Sequence, residues 1–262
     1  MKRFARLFLI ATSLLLVQQQ TALAHMRDTL FNESYYTAKK REFEVELRND
    51  YNIPDTEEDD THNFKGQVEF EYGITNHLQV AYYEVFTWAH DGDWDRDAFK
   101  VETKYRLFEP GTLPVNIALY AEYVNPDGSN NVNSDEMELK LIFSRDFGPL
   151  NLIANLTTER EINQHEDWQW EYTAGANYAV NNRVRLGLEV KENLGDQGEF
   201  DVHRKGHELQ LMPVVAATLT RPELSEEGKR SHPDVRLLFG PAIGLSRAAD
   251  DLQLRSILEI EF

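Results

Sequence analysis

The chain has no cysteine, so no disulfide framework and no thiolate metal centre is available to it. It is short of positive charge. Against 45 Asp and Glu it carries 27 Lys and Arg, a net charge of −18, which argues against nucleic acid as a partner and favours neutral or cationic ones. Beyond Val17 it lacks any apolar run near the roughly 18 residues that a membrane helix requires. A helical membrane protein is thereby excluded. No Gly-x-Ser-x-Gly occurs, so the nucleophile elbow of α/β-hydrolases is missing. A membrane barrel is compatible with all of these absences, because only alternate residues of its strands need to be apolar.

What is present begins with a leader. Lys2, Arg3 and Arg6 form a basic start, Leu7 to Val17 an apolar stretch too short to span a bilayer, and Ala22-Leu23-Ala24 a small-residue cleavage site. This order is that of a secretory signal peptide over residues 1–24; a short transmembrane anchor is the alternative. The mature chain is expected to start at His25. Residues 25–40 show no clear alternation, and Leu30, Phe31, Tyr35 and Tyr36 suit either a short helix or a plug, a periplasmic or lumenal segment.

From Arg41 to Phe262 the pattern changes to period two, the signature of strands with two unlike faces. The last stretch is the clearest. Leu252, Leu254, Leu258, Ile260 and Phe262 fall on one parity and Gln253, Arg255, Glu259 and Glu261 on the other, with Ser256 and Ile257 as exceptions. Eleven further runs of this kind precede it, so we expect an all-β fold, an antiparallel up-and-down transmembrane β-barrel of about 12 strands. The connections alternate too. Gly73-Ile74-Thr75-Asn76, Asp146-Phe147-Gly148-Pro149 and Asn181-Asn182 are tight, whereas Asn52 to His62, Ala89 to Arg96, Asn125 to Ser134 and Asn193 to Lys205 are long and polar. Thr220 to Pro233 and Arg247 to Asp250 break the rule. Short turns at one end and long loops at the other are the pattern of outer-membrane barrels, and an even strand number puts both termini at the short-turn, periplasmic end.

Alternation alone does not say which face is inside. Aromatic residues near strand ends (Tyr72, Trp88, Tyr105, Tyr123, Phe143, Trp168, Tyr178 and Phe262) resemble the girdles of a lipid–water boundary, and about twelve strands enclose too much space for side chains of one face to fill. The apolar face is therefore expected outward. A soluble sandwich or lipocalin-like barrel is the alternative.

The stretch Phe70-Glu71-Tyr72-Gly73-Ile74-Thr75-Asn76-His77-Leu78-Gln79-Val80 resembles a hairpin of a bacterial family named for the meta-pathway of phenol degradation, whose members are transporter-like outer-membrane barrels. Lys104-Tyr105-Arg106-Leu107-Phe108 and Arg145-Asp146-Phe147-Gly148-Pro149-Leu150 fit the same style. The resemblance implies passage of hydrophobic or aromatic compounds and brings no residue-level motif. A terminal Phe262 likewise resembles the signal read by the barrel-assembly machinery.

The outward assignment makes the charged face a lumen lining. Its candidates are Glu44, Glu46 and Arg48, then Glu69 and Glu71, then Lys100, Glu102 and Lys104, with Glu138, Lys140 and Glu171 following. Arg185, Glu189, Lys191, Arg255 and Glu259 complete the set. Such a lining conducts polar solutes or forms cross-strand ion pairs that hold the barrel. Asp91, Asp93 and Asp95, with Glu102 in the twelfth place, imitate a calcium loop, but Arg96 stands where the sharp turn needs Gly. Asp55, Glu57, Glu58, Asp59 and Asp60 make another loop acidic, and His62, His90, His165, His203 and His207 all fall in long loops. Either group is a solvated surface or a place for cations. Ser144 and Ser256 have no strand histidine at matching depth, so no Ser–His pair is expected. The reading is a non-enzymatic channel for small solutes with no cofactor. Outer-membrane lipid, lipopolysaccharide and the barrel-assembly machinery are its expected partners. A non-conducting surface barrel with partner- or cation-binding loops is the alternative, and a surface enzyme is a third.

Overall fold

A computed structural model describes residues 29–53, 63–88, 94–126, 135–162, 168–196, 208–223, 231–246 and 248–262. The leader, the acidic residues 55–60, Asp91, Asp93 and the five loop histidines lie outside these residues. Among the described residues the regular elements are twelve strands. In chain order they are β1 (Phe43–Ile53), β2 (Asn63–Gly73), β3 (Leu78–Trp88), β4 (Trp94–Arg106), β5 (Asn116–Pro126) and β6 (Glu136–Phe147). They continue with β7 (Leu150–Glu161), β8 (Gln169–Ala179), β9 (Val184–Asp196), β10 (Leu209–Thr220), β11 (Asp234–Gly244) and β12 (Leu252–Glu261). Each pairs antiparallel with its chain neighbours, and β12 returns to β1 to close the barrel. That seam runs in register from Glu44 opposite Glu261 to Ile53 opposite Leu252. Closure leaves no sheet edge, the condition for a sheet to lie in lipid.

The face assignment holds. Outward residues such as Leu139, Leu141, Leu188 and Phe239 are 38–50% exposed, while inward Glu46, Glu69, Glu102, Glu189 and Glu259 are at most 2% exposed. This inverts a soluble protein, in which charged residues are almost never buried without a special reason. Aromatic rings meet on the outer wall at the short-turn end, where Phe43 lies 6.3 Å from Phe70 and 6.0 Å from Phe262. Trp88 and Trp94 lie 6.5 Å apart at the other end.

The tight turns form where expected. Ile74 and Thr75 both donate to the Leu78 carbonyl, at 2.9 and 3.1 Å, and Gly148 takes φ +62° between β6 and β7, a backbone shape that costs a side-chain-bearing residue energy. The strands run further toward the long-loop end than the polar composition implied. β4 starts at Trp94, so Asp95 is a strand residue opposite Thr87 rather than a loop ligand. The indole of Trp94 packs edge-on to Phe64 at 5.6 Å, and this aromatic contact on the wall accompanies the extra pairs.

Residues 29–42 form no helix and no strand. They pass through the lumen from the base of β1 to the wall formed by β9–β12. At the base the chain presses on β2: a Cβ on Gly73 would lie 1.8 Å from the Lys39 carbonyl oxygen, and Arg41 N–H donates to the Gly73 carbonyl at 2.7 Å. At the far end Leu30 packs on Met212, Val214, Leu238 and Ile257, all buried. This contact explains the irregularity of the last strand. Ile257 faces inward because the lumen is apolar there, and Ser256 faces outward between Asn49 and Phe239 of the neighbouring strands.

Candidate functional site: the occupied lumen

The lumenal segment is held by polar contacts to most of the wall. Glu189, fully buried on β9, accepts four hydrogen bonds from it. Leu30 N–H donates to Oε1 at 2.8 Å, and Phe31 N–H, Asn32 N–H and Asn32 Nδ2 donate to Oε2 at 2.8–2.9 Å. Successive backbone N–H groups turned toward one anion make a nest, here with a wall carboxylate as the anion. Thr173 Oγ1 donates to Asn32 Oδ1 at 2.9 Å, and Asn155 Nδ2 to the Glu33 carbonyl at 3.1 Å. Lys104 Nζ lies 2.9 Å from Glu33 Oε1, with both side chains buried. Arg255 donates to the Leu30 carbonyl at 3.1 Å, and its guanidinium stands 5.4 Å from the Phe31 ring centre.

Nearer the base, Tyr35 donates its hydroxyl to the Phe108 carbonyl, and Tyr36 donates to Asp146 at 3.0 Å. Burial and the adjacent Asp146 carboxylate push the Tyr36 phenol well above its ordinary pKa, so it keeps the proton it donates. Ala38 N–H donates to Gln79 at 2.7 Å. These partners come from strands all round the barrel, from β3 to β12, so the segment crosses the lumen rather than lying along one wall.

Every lumen-lining candidate faces inward, and none is exposed. Many form ion pairs. Arg48 bonds Glu46 at 2.8 Å and also Glu69. Lys100 meets Glu122 at 2.8 Å, Lys140 meets Glu138 at 2.9 Å, and Lys191 meets Glu171 at 2.7 Å. Arg255 grips Asp50 through two parallel bonds of 2.6 and 2.9 Å, the forked geometry that gives Arg–carboxylate pairs their strength. Arg185 lies on β9 at the short-turn end, half-buried, opposite Ala179 and Ala216. The other anionic candidates, Glu44, Glu71, Glu102 and Glu259, line β12 and β1–β4. A cavity of about 280 Å³ sits at the long-loop end between Lys65, Lys100, Glu122, Glu136 and Glu159.

Several residues of the site were not singled out from sequence. Glu33 and Asn32 lie where no periodicity exists. Asn155 and Thr173 are short polar side chains on parities already marked inward, and their neighbours gave the signal. Tyr83 and Tyr120 are inward aromatics, readable only from the parity of Gln79–Ala81 and Ala118–Glu122. Tyr83 donates to Glu102, and Tyr120 to Glu122 at 2.7 Å. Ser144 is buried and accepts from Asn151 at 2.9 Å, while Ser256 faces the opposite side of the wall. Phe262 donates its backbone N–H to the Phe43 carbonyl at 2.9 Å across the closing seam.

No family model and no curated protein matches the chain. Solved structures do match. The COG4313 outer membrane channel from Pseudomonas putida F1 is 10% identical, with a TM-score of 0.61 over 89% of this chain and 100% of that one. The NanC porin is 10% identical, with a TM-score of 0.54 over 83% and 98% of the two chains. The KdgM porin is 9% identical, with a TM-score of 0.53 over 84% and 98%. At such identity the likeness is one of fold: a closed antiparallel barrel of the outer-membrane type.

Proposed function

We propose that the protein is a channel for small solutes in the outer membrane of a Gram-negative bacterium, and that residues 29–42 shut its lumen until they are displaced. The carrying observation is the way the segment is held. It adds no strand to the wall and is held by side-chain hydrogen bonds, by backbone bonds to Gly73 at its base and by two apolar contacts, of Leu30 and of Tyr35; water can take over the polar contacts when it leaves. The short turns and both chain ends are then periplasmic, so the segment enters from the periplasm.

Carboxylates outnumber cations along the lining, which favours cations over anions. One similar barrel was solved in complex with disordered oligogalacturonate, a polyanion; the surplus of charge here has the opposite preference. The aromatic solutes implied by the hairpin resemblance have a chemically suitable surface in the patch under Leu30 and Phe31, which is uncovered when the segment leaves.

Conductance in planar bilayers tests this reading, comparing the parent with a chain lacking residues 25–40. The shortened chain should carry a larger current with a reversal potential favouring cations. A shortened chain that shifts on unheated gels as a folded barrel does, yet carries no current, overturns the proposal. The second reading, a permanently filled structural barrel, draws on the four bonds to Glu189. It predicts current from the shortened chain and none from the parent at any voltage.

A further inference from the structure

The closing seam of the barrel places like charges directly across from one another. In one row Glu44 of β1 faces Glu261 of β12 and Glu71 of β2; in the next, Glu46 faces Glu259 and Glu69. All six are inward and at most 6% exposed. Like charges opposite one another on a sheet are destabilising, and burial removes the water that would screen them. A structure that repeats the arrangement over two rows must supply positive charge.

The protein's own cations supply part of it. Arg48 bonds Glu46 and Glu69. Arg236 of β11 is next to Glu259 in register. Lys104 is engaged by Glu33, at 2.9 Å. Lys104 also acts on Glu71, so six carboxylates face two guanidinium groups and one ammonium, and the seam keeps a negative surplus. Glu259 gives the second sign. It is fully buried, no N–H or hydroxyl donor reaches either of its carboxylate oxygens, and its side-chain neighbour is another carboxyl group, that of Glu44. Oε1 of Glu69 is in the same condition. Buried polar atoms are normally satisfied, and a carboxylate with no hydrogen-bond donor is costly.

The geometry suits an ion. One oxygen from each of Glu44, Glu46 and Glu259 lies within 4.8 Å of the others, and the same holds for Glu46, Glu69 and Glu71. Calcium binds oxygen ligands at about 2.3–2.6 Å, so oxygens on opposite sides of one ion stand about 5 Å apart. Magnesium, at about 2.0–2.1 Å, draws its ligands closer and keeps several waters, which a buried seam provides less readily. We propose that the glutamates of β12, β1 and β2 form a calcium site of two adjoining lobes, with Glu46 shared between them, which ties the last strand of the barrel to the first two. Oxygen-only ligands suit a hard cation and offer nothing to a soft one.

The test is calcium binding by the purified full-length protein in detergent, read by calorimetry at pH 7.5, together with the temperature at which the folded barrel unfolds on gels. Calcium should bind and raise that temperature, and a chelator should lower it. Glu259→Gln keeps the shape and removes a charge; it should weaken calcium binding at least tenfold. Glu44→Gln should do likewise, and serves if Glu259→Gln does not fold. Glu84→Gln, on the outer wall, should bind as the parent does. Equal calcium binding by the parent, Glu259→Gln and Glu44→Gln would place the ions in the acidic loops and overturn the proposal. So would an absence of binding at 10 mM calcium, which would mean that protons neutralise the seam.

Discussion

Replacing Glu189 removes the anchor of the lumenal segment and leaves the barrel's strand pairing intact, because the wall bonds of β9 are made by its backbone. In Glu189→Ala the Leu30, Phe31 and Asn32 N–H groups and Asn32 Nδ2 lose the carboxylate that accepts all four. A hydrogen bond to a charged group contributes about 1.5–3 kcal/mol. Four at the lower end, reduced for water that enters beside the freed groups, amount to about 4 kcal/mol, or about a thousandfold in the ratio of seated to released segment. Contacts with Lys104, Arg255, Asn155 and the apolar patch persist, so the variant should flicker between closed and open rather than stand open. Single-channel recording reads this as open events at least a hundredfold more frequent than in the parent. Glu189→Gln, which retains one acceptor oxygen, should fall between the two. The folded state is checked by the gel shift on heating. If Glu189→Ala is folded and its conductance trace matches the parent's, while the chain lacking residues 25–40 conducts freely, then the anchor lies elsewhere along the segment and the weight given to the nest is wrong.

Two further outcomes follow from the wall itself. Leu139→Arg puts a cation on the lipid face of β6, at a position 38% exposed, and should reduce insertion at a cost of about 2–4 kcal/mol; Glu138→Gln, one residue away and inward, should insert normally, and equal yields of the two in membrane fractions would refute the face assignment. Deleting Phe262 removes its bond to the Phe43 carbonyl and its ring from the Phe43 side of the seam, so folded barrel should be lost from the membrane fraction, whereas Phe262→Tyr should assemble; a deletion that assembles as the parent does makes the last residue dispensable.

The strands were legible because a membrane barrel changes environment at every residue. Lipid on one side and a charged lumen on the other write period two into β1, β2, β4 and β6 with hardly an error. Where the lumen is not polar the pattern weakens. On β10 and β11 the inward residues Met212, Val214, Ala216, Leu238 and Ala242 are apolar, so both faces read alike, and on β12 Ile257 broke the parity for the same reason. Loop lengths were overestimated where charged residues continue the ladder, as at Asp95. Ladder bonds are made by the backbone, so polar composition alone does not end a strand.

The lumenal segment was the part least legible, and the reason is distance along the chain. Asn32 and Glu189 are 157 residues apart, and nothing local to either announces the other. A buried Glu on a strand reads as one more lining charge, and a stretch with no periodicity suits a short helix as well as a plug. Once the two are seen together, the wall becomes a negative image of the segment. Apolar residues line it where Leu30 lands, Lys104 stands where Glu33 arrives, and Gly73 clears space where the Lys39 backbone passes. The seam of β12, β1 and β2 does not follow this logic. Its glutamates stand opposite one another across the strands. A wall shaped by its plug would place cations or apolar side chains there, and the repeated glutamate rows are better explained by a charge that the chain itself does not carry.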